Sequence, residues 1–555
     1  MGIEAAPADG ETAAAVTGGA PAYRGYGGLR GEAYALVVFL AAAAVVALSV
    51  ALAIARPLTW LVRVVPDDAF YYLQIARNLA REGRSTFDGI NSADGYHPGW
   101  MLVVVALAAV VHGKVALLRA SLAVALLLHL AAGYCLTRVF RCWLPPMWSW
   151  LGGACWLLNP LPVMLVLEDT EGPLNVLALT IAVWVYLGRI APQLERDLPV
   201  PLRDRVLFGL ALGGCVLART DEGVLGAVAV LAILRALRGS RERLEFLIAV
   251  GGAAALTVAP WFIYTHATTG AWVQHSGSMK ILWAAREHTA GIGPAWRYVT
   301  GKWLTYPYWA RTLERVANRW PSAMCAASTV VTCALVYALV RGFHRPDTRR
   351  LAATALTLVA GTLLTGTIYG LFFTDMQDWY RGQPALILYV VLYGVFVKWR
   401  MTRSPAPIGH PMAIGTVAVG ACGATLVLVV LTANSYPWQR DVLESEAAFE
   451  RLVPPGKNIG CFNAGIPAYF SDRRIINLDG LVNNAVFSYY QRGELDRYLT
   501  DAPIDYIADE DMSIARAKLF VASPVGLDEV AAVPLTWMPT VRRRLWRVEH
   551  PVSAR

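Results

Sequence analysis

The sequence predicts a polytopic α-helical membrane protein with a small α/β domain at its C-terminal end. Three observations predict it. Of 555 residues, 56% are hydrophobic and only 16% charged, with a mean hydropathy of +0.44, a balance that ordinary soluble domains do not show. Eleven apolar stretches are long enough to cross a bilayer, or nearly so. From Asn434 onward the long apolar runs stop, and short strand-like segments alternate with helical ones.

Residues 1–33 are rich in Ala and Gly, carry Arg24 and Arg30, and read as a disordered cytoplasmic tail. The apolar run behind them is too long for the core of a cleaved signal. The apolar stretches fall at 34–56, 115–137, 147–166, 173–189, 206–218, 222–236, 246–265, 322–341, 351–372, 384–399 and 412–433. An upright span needs about 20 residues, so the two near 206–236 are short and read equally as one broken unit. Residues 99–111 begin after Pro98 and are too few to span, which predicts a juxtamembrane or re-entrant helix. Charge agrees. With the N-terminus inside and 99–111 not crossing, the clusters Arg138 and Arg141, Arg189 to Arg205, Arg235 to Arg243, Arg341 to Arg350, and Lys398 to Arg403 all face the cytoplasm. The net charge of +9 therefore belongs to cytoplasmic loops and gives no nucleic-acid signal.

The same assignment gathers carboxylates on the outer side: Asp67-Asp68, Glu168-Asp169-Thr170-Glu171, Asp221-Glu222, and Asp375 with Asp378. Any one set is ordinary for a solvated loop, but four at helix ends on one side predict a shared acidic cleft. Asp67-Asp68 opens an amphipathic helix expected to lie in the membrane interface. Ala69, Tyr72, Leu73, Ala76 and Ala80 form its apolar face, Gln74, Arg77, Asn78 and Arg81 the other, and Gly83 its end. Helix capping accounts for one Asp but not for two.

The chain thus divides into the tail 1–33, a transmembrane domain 34–433 with a first outer loop 57–114 and a second outer segment 266–320, and an extracytoplasmic α/β domain 434–555. The segment 266–320 mixes Trp, Tyr and Arg, among them Lys280, Trp283, Trp296, Tyr306 and Arg311. That composition suits either a surface meeting a lipid phosphate or an aromatic belt with snorkelling Arg. In the last domain, strands are expected at 459–462, 474–478 and 504–507, helices at 466–470, 487–499 and 513–521, and β structure around 535–548. Asn463 and Asp479 read as turn residues, with a ligand role as the alternative.

Soluble hydrolase and nucleotide motifs are missing, including the nucleophile elbow, the Walker loop and His-Glu-x-x-His. Eight cysteines, mostly within apolar runs and without a Cys-x-x-Cys pair, support neither a disulfide framework nor a zinc site. A donor for an outer site must be membrane-borne, because cytosolic nucleotides do not cross the bilayer.

Asp67-Asp68, followed by Tyr71-Tyr72, Ala76-Arg77-Asn78-Leu79, Thr86-Phe87-Asp88-Gly89 and Gly95-Tyr96-His97-Pro98, resembles the first outer loop of GT-C superfamily glycosyltransferases. Glu168 to Glu171, Ala218-Arg219-Thr220-Asp221, Ser276-Gly277-Ser278-Met279-Lys280, Tyr380-Arg381 and Asn477-Leu478-Asp479-Gly480-Leu481 follow in the family's order. Many relatives carry Asp-Glu where this chain has Asp67-Asp68. The resemblance implies a GT-C-like fold of about 11 transmembrane helices in the plasma (inner) membrane. It implies transfer of a sugar from a polyprenyl-phosphate donor to a hydroxyl of a glycan, lipid or protein acceptor at the outer face.

By the same resemblance Asp67 is the favoured general base, with Asp68 as alternative or orienting partner. Glu168, Asp169, Glu171 and His97 are implied as acceptor-binding or metal groups, and Lys280, Arg219 and Arg381 as partners of the donor phosphate. A divalent cation, Mg or Mn, is left open. One displacement inverts the anomeric centre and needs no second nucleophile. The competing class is a transporter or flippase of a lipid-linked or soluble sugar. Such proteins place ionisable groups near the midplane, where this chain has mainly Arg119 and His129.

Overall fold

The computed structural model describes residues 28–297, 321–344, 349–373, 377–403, 409–521 and 526–549. Most of the expected tail, residues 298–320 of the second outer segment, and Asp375 lie outside them. All eleven apolar stretches are helical. In chain order the principal helices are α1 (Gly28–Ile54), α2 (Asp67–Glu82), α3 (Pro98–Val110), α4 (Lys114–Arg141), α5 (Pro146–Leu157), α6 (Pro160–Leu167), α7 (Gly172–Val185), α8 (Leu202–Ala218) and α9 (Glu222–Ala236). They continue with α10 (Ser240–Thr269), α11 (His275–Glu287), α12 (Pro321–Phe343), α13 (Arg349–Phe372), α14 (Gly382–Arg403) and α15 (Gly409–Leu431).

The chain is a multi-pass membrane protein. Among the described residues six helical segments are long and apolar enough to cross, or seven if α5 and α6, bent by 48°, form one span. The break between them follows from Asn159-Pro160: Pro160 removes a backbone donor and the Asn159 side chain accepts from Leu161 N–H at 3.1 Å. The two short stretches near 206–236 are separate helices, α8 and α9, parted by Arg219-Thr220-Asp221. The 13-residue α3 is too short to span by itself. The bundle packs closely where side chains are small. A Cβ on Gly209 of α8 would stand 2.4 Å from the Val250 carbonyl oxygen of α10, so only glycine permits that approach.

Helix α2 begins directly after Pro66 and ends at Gly83, whose φ of 69° only glycine adopts freely. Its buried surface is wider than the apolar face read from the sequence. Phe70, Tyr71 and Ile75 are buried along with the apolar face read from the sequence. The reason is a second partner: Phe70 packs on Tyr469 and Phe470 at ring-centroid distances of 5.7 and 5.5 Å. Helix α2 is therefore enclosed between the membrane helices and the C-terminal domain.

That domain begins with α16 (Gln439–Leu452) and builds a five-stranded sheet in the order β2-β1-β3-β5-β4. Strands β1 (Asn458–Cys461), β2 (Arg474–Asn477) and β3 (Tyr506–Glu510) are parallel, with β1 between the other two. Strands β4 (Leu527–Pro534) and β5 (Arg542–Val548) form an antiparallel hairpin on the β3 edge. The final β structure thus starts earlier than 535. The helix expected at 487–499 is two, Phe487–Arg492 and Leu495–Asp501, separated at Gly493 with φ 70°. Two further helices matter to the site: α17 (Gly465–Phe470) after β1, and α18 (Asp511–Ala517) after β3. Arg543 of β5 is buried and holds Glu446 of α16 through both terminal nitrogens at 3.1 Å, tying helix to sheet.

Candidate active site

A cavity of about 390 Å³ lies between α2, α11 and the α/β domain. Its lining includes Asp68 from α2, Lys280 and Trp283 from α11, and Asn463, Asp479 and Ser513 from the domain. Its size is that of a small-molecule pocket.

The two adjacent acids take different roles. Asp67 accepts the backbone N–H of Gly465 at 2.8 Å and of Ile466 at 2.7 Å, one on each carboxylate oxygen. Its own N–H donates to Gln439 at 2.9 Å. It is thus a cap for α17, supplied from across the domain boundary. Burial pushes its carboxyl up to about 7, against the two N–H bonds, which favour the ionised form. Asp68 accepts no hydrogen bond from the described residues and faces the cavity. Burial raises its pKa above the ordinary carboxylate value, the Lys280 ammonium pulls it back, and Glu171 adds a smaller upward push.

Lys280 is aimed by Tyr380 and by the anchoring of its own helix. Its ammonium donates to the Tyr380 hydroxyl and lies 5.2 Å from the centre of the Tyr380 ring. Burial works against its charge, but Tyr380 and Asp68 outweigh it and hold the pKa above the ordinary lysine value. At the start of α11, buried Asp94 accepts the His275 N–H at 3.1 Å and the ring Nδ1–H at 2.8 Å. The first loop thereby fixes the helix that presents Lys280.

The remaining sequence candidates fall into three groups. Arg219, expected near a phosphate, is only 2% exposed and is already committed. It donates to Glu171 at 2.6 Å and to both oxygens of Asp221 at 3.0 and 3.2 Å, and stacks on Tyr380 at 4.3 Å. Glu171 and His97 join it there. Tyr72 donates to Glu171 at 3.1 Å, and His97 accepts the Thr220 N–H on Nδ1 at 3.3 Å, so that nitrogen carries no proton. Burial drives the His97 ring down to about 4, which keeps it neutral. Glu168 and Asp169 do not line the cavity. Both are buried, and Asp169, with φ 53°, accepts the Ser121 hydroxyl of α4 at 2.6 Å. Arg381 ends the short helix before α14 and is not among the cavity-lining residues.

Of the four acidic sets read from the sequence, the described residues thus bring Asp68 to the cavity and place Glu171 and Asp221 in a buried ion-pair network beside it. Among the described residues no group of three or more His, Cys, Asp and Glu gathers as a metal cage. Asp67 is bound to backbone, Asp169 to Ser121 and Glu171 to Arg219, so these side chains do not fit a shared divalent cation. Asn463 and Asp479, for which a ligand role was the alternative to a turn, line the cavity, as does Ser513, which sequence reasoning did not single out. Their signal was position: each follows a strand of a parallel βα pattern.

The C-terminal segment, residues 438–547, matches a family described as a domain of unknown function, DUF8728. No curated protein matches the sequence. The overall structure is similar to several solved structures. These include the oligosaccharyltransferase AglB of Archaeoglobus fulgidus in complex with an inhibitory peptide and a dolichol-phosphate (11% identity, 88% of this chain and 70% of that one, TM-score 0.48). They also include ArnT of Cupriavidus metallidurans bound to undecaprenyl phosphate (12%, 92% and 97%, 0.47) and in the apo state (14%, 92% and 97%, 0.49).

Proposed function

We propose that this protein is a membrane glycosyltransferase that moves a sugar from a polyprenyl-phosphate donor to an acceptor hydroxyl at the outer face of the membrane. The observation that carries the reading is the pairing of an unbonded carboxylate, Asp68, with a held ammonium, Lys280, in one cavity. Its support from the sequence is the first-loop motif.

Asp68 takes the proton of the acceptor hydroxyl as that oxygen attacks the anomeric carbon. The bond from that carbon to the phosphate oxygen breaks, and its electron pair leaves with the polyprenyl phosphate. Lys280 offsets the charge that develops there and pulls the Asp68 pKa down against the effect of burial. The leaving group is an acidic phosphate, so no protein acid has to protonate it. A single displacement inverts the configuration. Asp67 takes no proton here; it fixes the helix start on which Asp68 sits. The buried Glu171–Arg219–Asp221 network supports Tyr380, and through it Lys280.

A transporter reading is less well supported, because the ionisable groups of the spans have local partners. The His129 ring contacts the Leu157 carbonyl at 3.2 Å, and Arg119 donates to the Arg56 carbonyl at 3.2 Å. Purified protein incubated with a panel of polyprenyl-phosphate sugars, with and without chelator, tests the proposal. Release of polyprenyl phosphate or sugar transfer that Asp68→Asn abolishes is the expected result. No turnover across the panel, with lipid-linked sugar instead moved across vesicles, would favour transport.

A further inference from the structure

The α/β domain turns its topological switch point towards Asp68. Strand β1 is the middle one of the three parallel strands; the chain returns from it to β2 on one side and then crosses to β3 on the other. In such sheets ligands bind in the crevice outside the carboxyl ends of the strands, where the winding reverses. Three cavity-lining groups stand there: Asn463 just beyond β1, Asp479 just beyond β2 and Ser513 just beyond β3.

Their hydrogen bonds fix which atoms are left to offer. The Asn463 amide nitrogen donates to Glu510 at 2.8 Å and to Ser513 Oγ at 3.1 Å. This sets the amide orientation and leaves its carbonyl oxygen as an acceptor. The Asp479 carboxylate takes the Leu481 N–H at 2.8 Å and the Tyr71 hydroxyl at 3.2 Å, which holds it in place with acceptor capacity remaining. The Trp283 indole of α11 also lines the cavity, with the Arg516 guanidinium 4.3 Å from its ring centre. Fixed acceptors and an aromatic plate lining one cavity complement a ring that carries hydroxyls on its edge and C–H bonds on its face.

We propose that the crevice of the C-terminal domain is a sugar-ring subsite, with the Asp479 carboxylate and Asn463 carbonyl accepting from ring hydroxyls and Trp283 packing against the ring face. It deepens the transferase reading, since the ring belongs either to the lipid-linked donor or to a glycan acceptor. Binding, unlike turnover, tests it separately.

Full-length protein in lipid nanodiscs is titrated calorimetrically with two sets of probes. One set is lipid-free methyl glycosides and short oligosaccharides. The other is polyprenyl-phosphate sugars against polyprenyl phosphate alone. At least one sugar is expected to bind, about three- to tenfold more weakly in Asn463→Ala and about tenfold or more in Asp479→Asn. Weakening confined to lipid-free sugars assigns the subsite to the acceptor. Loss of the preference for lipid-linked sugar over bare polyprenyl phosphate assigns it to the donor. Asn463 is exposed, so its variant keeps the test valid if Asp479→Asn does not fold. The proposal is overturned if no sugar binds the wild-type protein, or if Asn463→Ala and a folded Asp479→Asn bind as tightly as wild type. A protein that binds sugar but turns over no donor would retain the subsite and lose the transferase reading.

Discussion

Asp68→Asn and Asp67→Ala are expected to fail for different reasons, although the residues are neighbours. Asp68 accepts no hydrogen bond from the described residues, so its amide leaves the fold within about 0.5 kcal/mol of wild type. As general base it supplies about 10²–10⁴-fold in rate, which is ~3–5 kcal/mol of barrier. Asp67 instead accepts two backbone N–H groups from α17. Alanine strands both, at about 1–3 kcal/mol each, so the docking of the α/β domain onto α2 weakens by ~2–6 kcal/mol. The assay pairs release of polyprenyl phosphate with thermal unfolding and limited proteolysis of residues 438–547. Asp68→Asn should be inactive and stable, Asp67→Ala protease-sensitive with activity falling as docking fails. Wild-type turnover in Asp68→Asn, or an inactive Asp67→Ala that melts like wild type, would refute the division.

Lys280→Gln removes the cation that pulls the Asp68 pKa down. The acid limb of kcat should then move to higher pH while the donor KM rises, and a shift to lower pH would sink the pairing. Arg219→Ala leaves Glu171 and Asp221 without their buried counter-ion, which costs about 3–5 kcal/mol. A lowered melting temperature is expected; a stable protein with only a raised donor KM would restore Arg219 as a phosphate ligand. Gly465→Ala places a Cβ 2.1 Å from the Asp67 carbonyl oxygen and should open the α2–α17 contact. Unchanged protease resistance of the C-terminal domain would contradict that geometry.

Much of the fold was legible because apolar length and loop charge are local signals, and the stretches marked as spans are helices. The acid pair and Lys280 were legible through their motifs. Which acid faces the cavity was not, because both stand in the first turn and the choice depends on Gly465, almost 400 positions away. Arg219 was implied as a phosphate partner by the resemblance alone. Its burial beside Glu171 and Asp221, which pairs its charge, depends on contacts that no local motif encodes. Asn463 and Asp479 carry ordinary turn chemistry, and their relation to Asp68 exists only once the domain has docked. The apolar face read from the sequence left out Phe70 and Tyr71, because the rings they meet lie outside the helix: Phe70 packs on Tyr469 and Phe470, and Tyr71 on Phe87.

The clamp on Asp67 also steers its neighbour. Successive positions on a helix diverge by about 100° around the axis, so pinning the first carboxylate sets the compass bearing of the second. Aim and anchorage are thus inherited from one dipeptide, and a shift in how the sheet sits on the membrane helices would swing the proton acceptor away from its target.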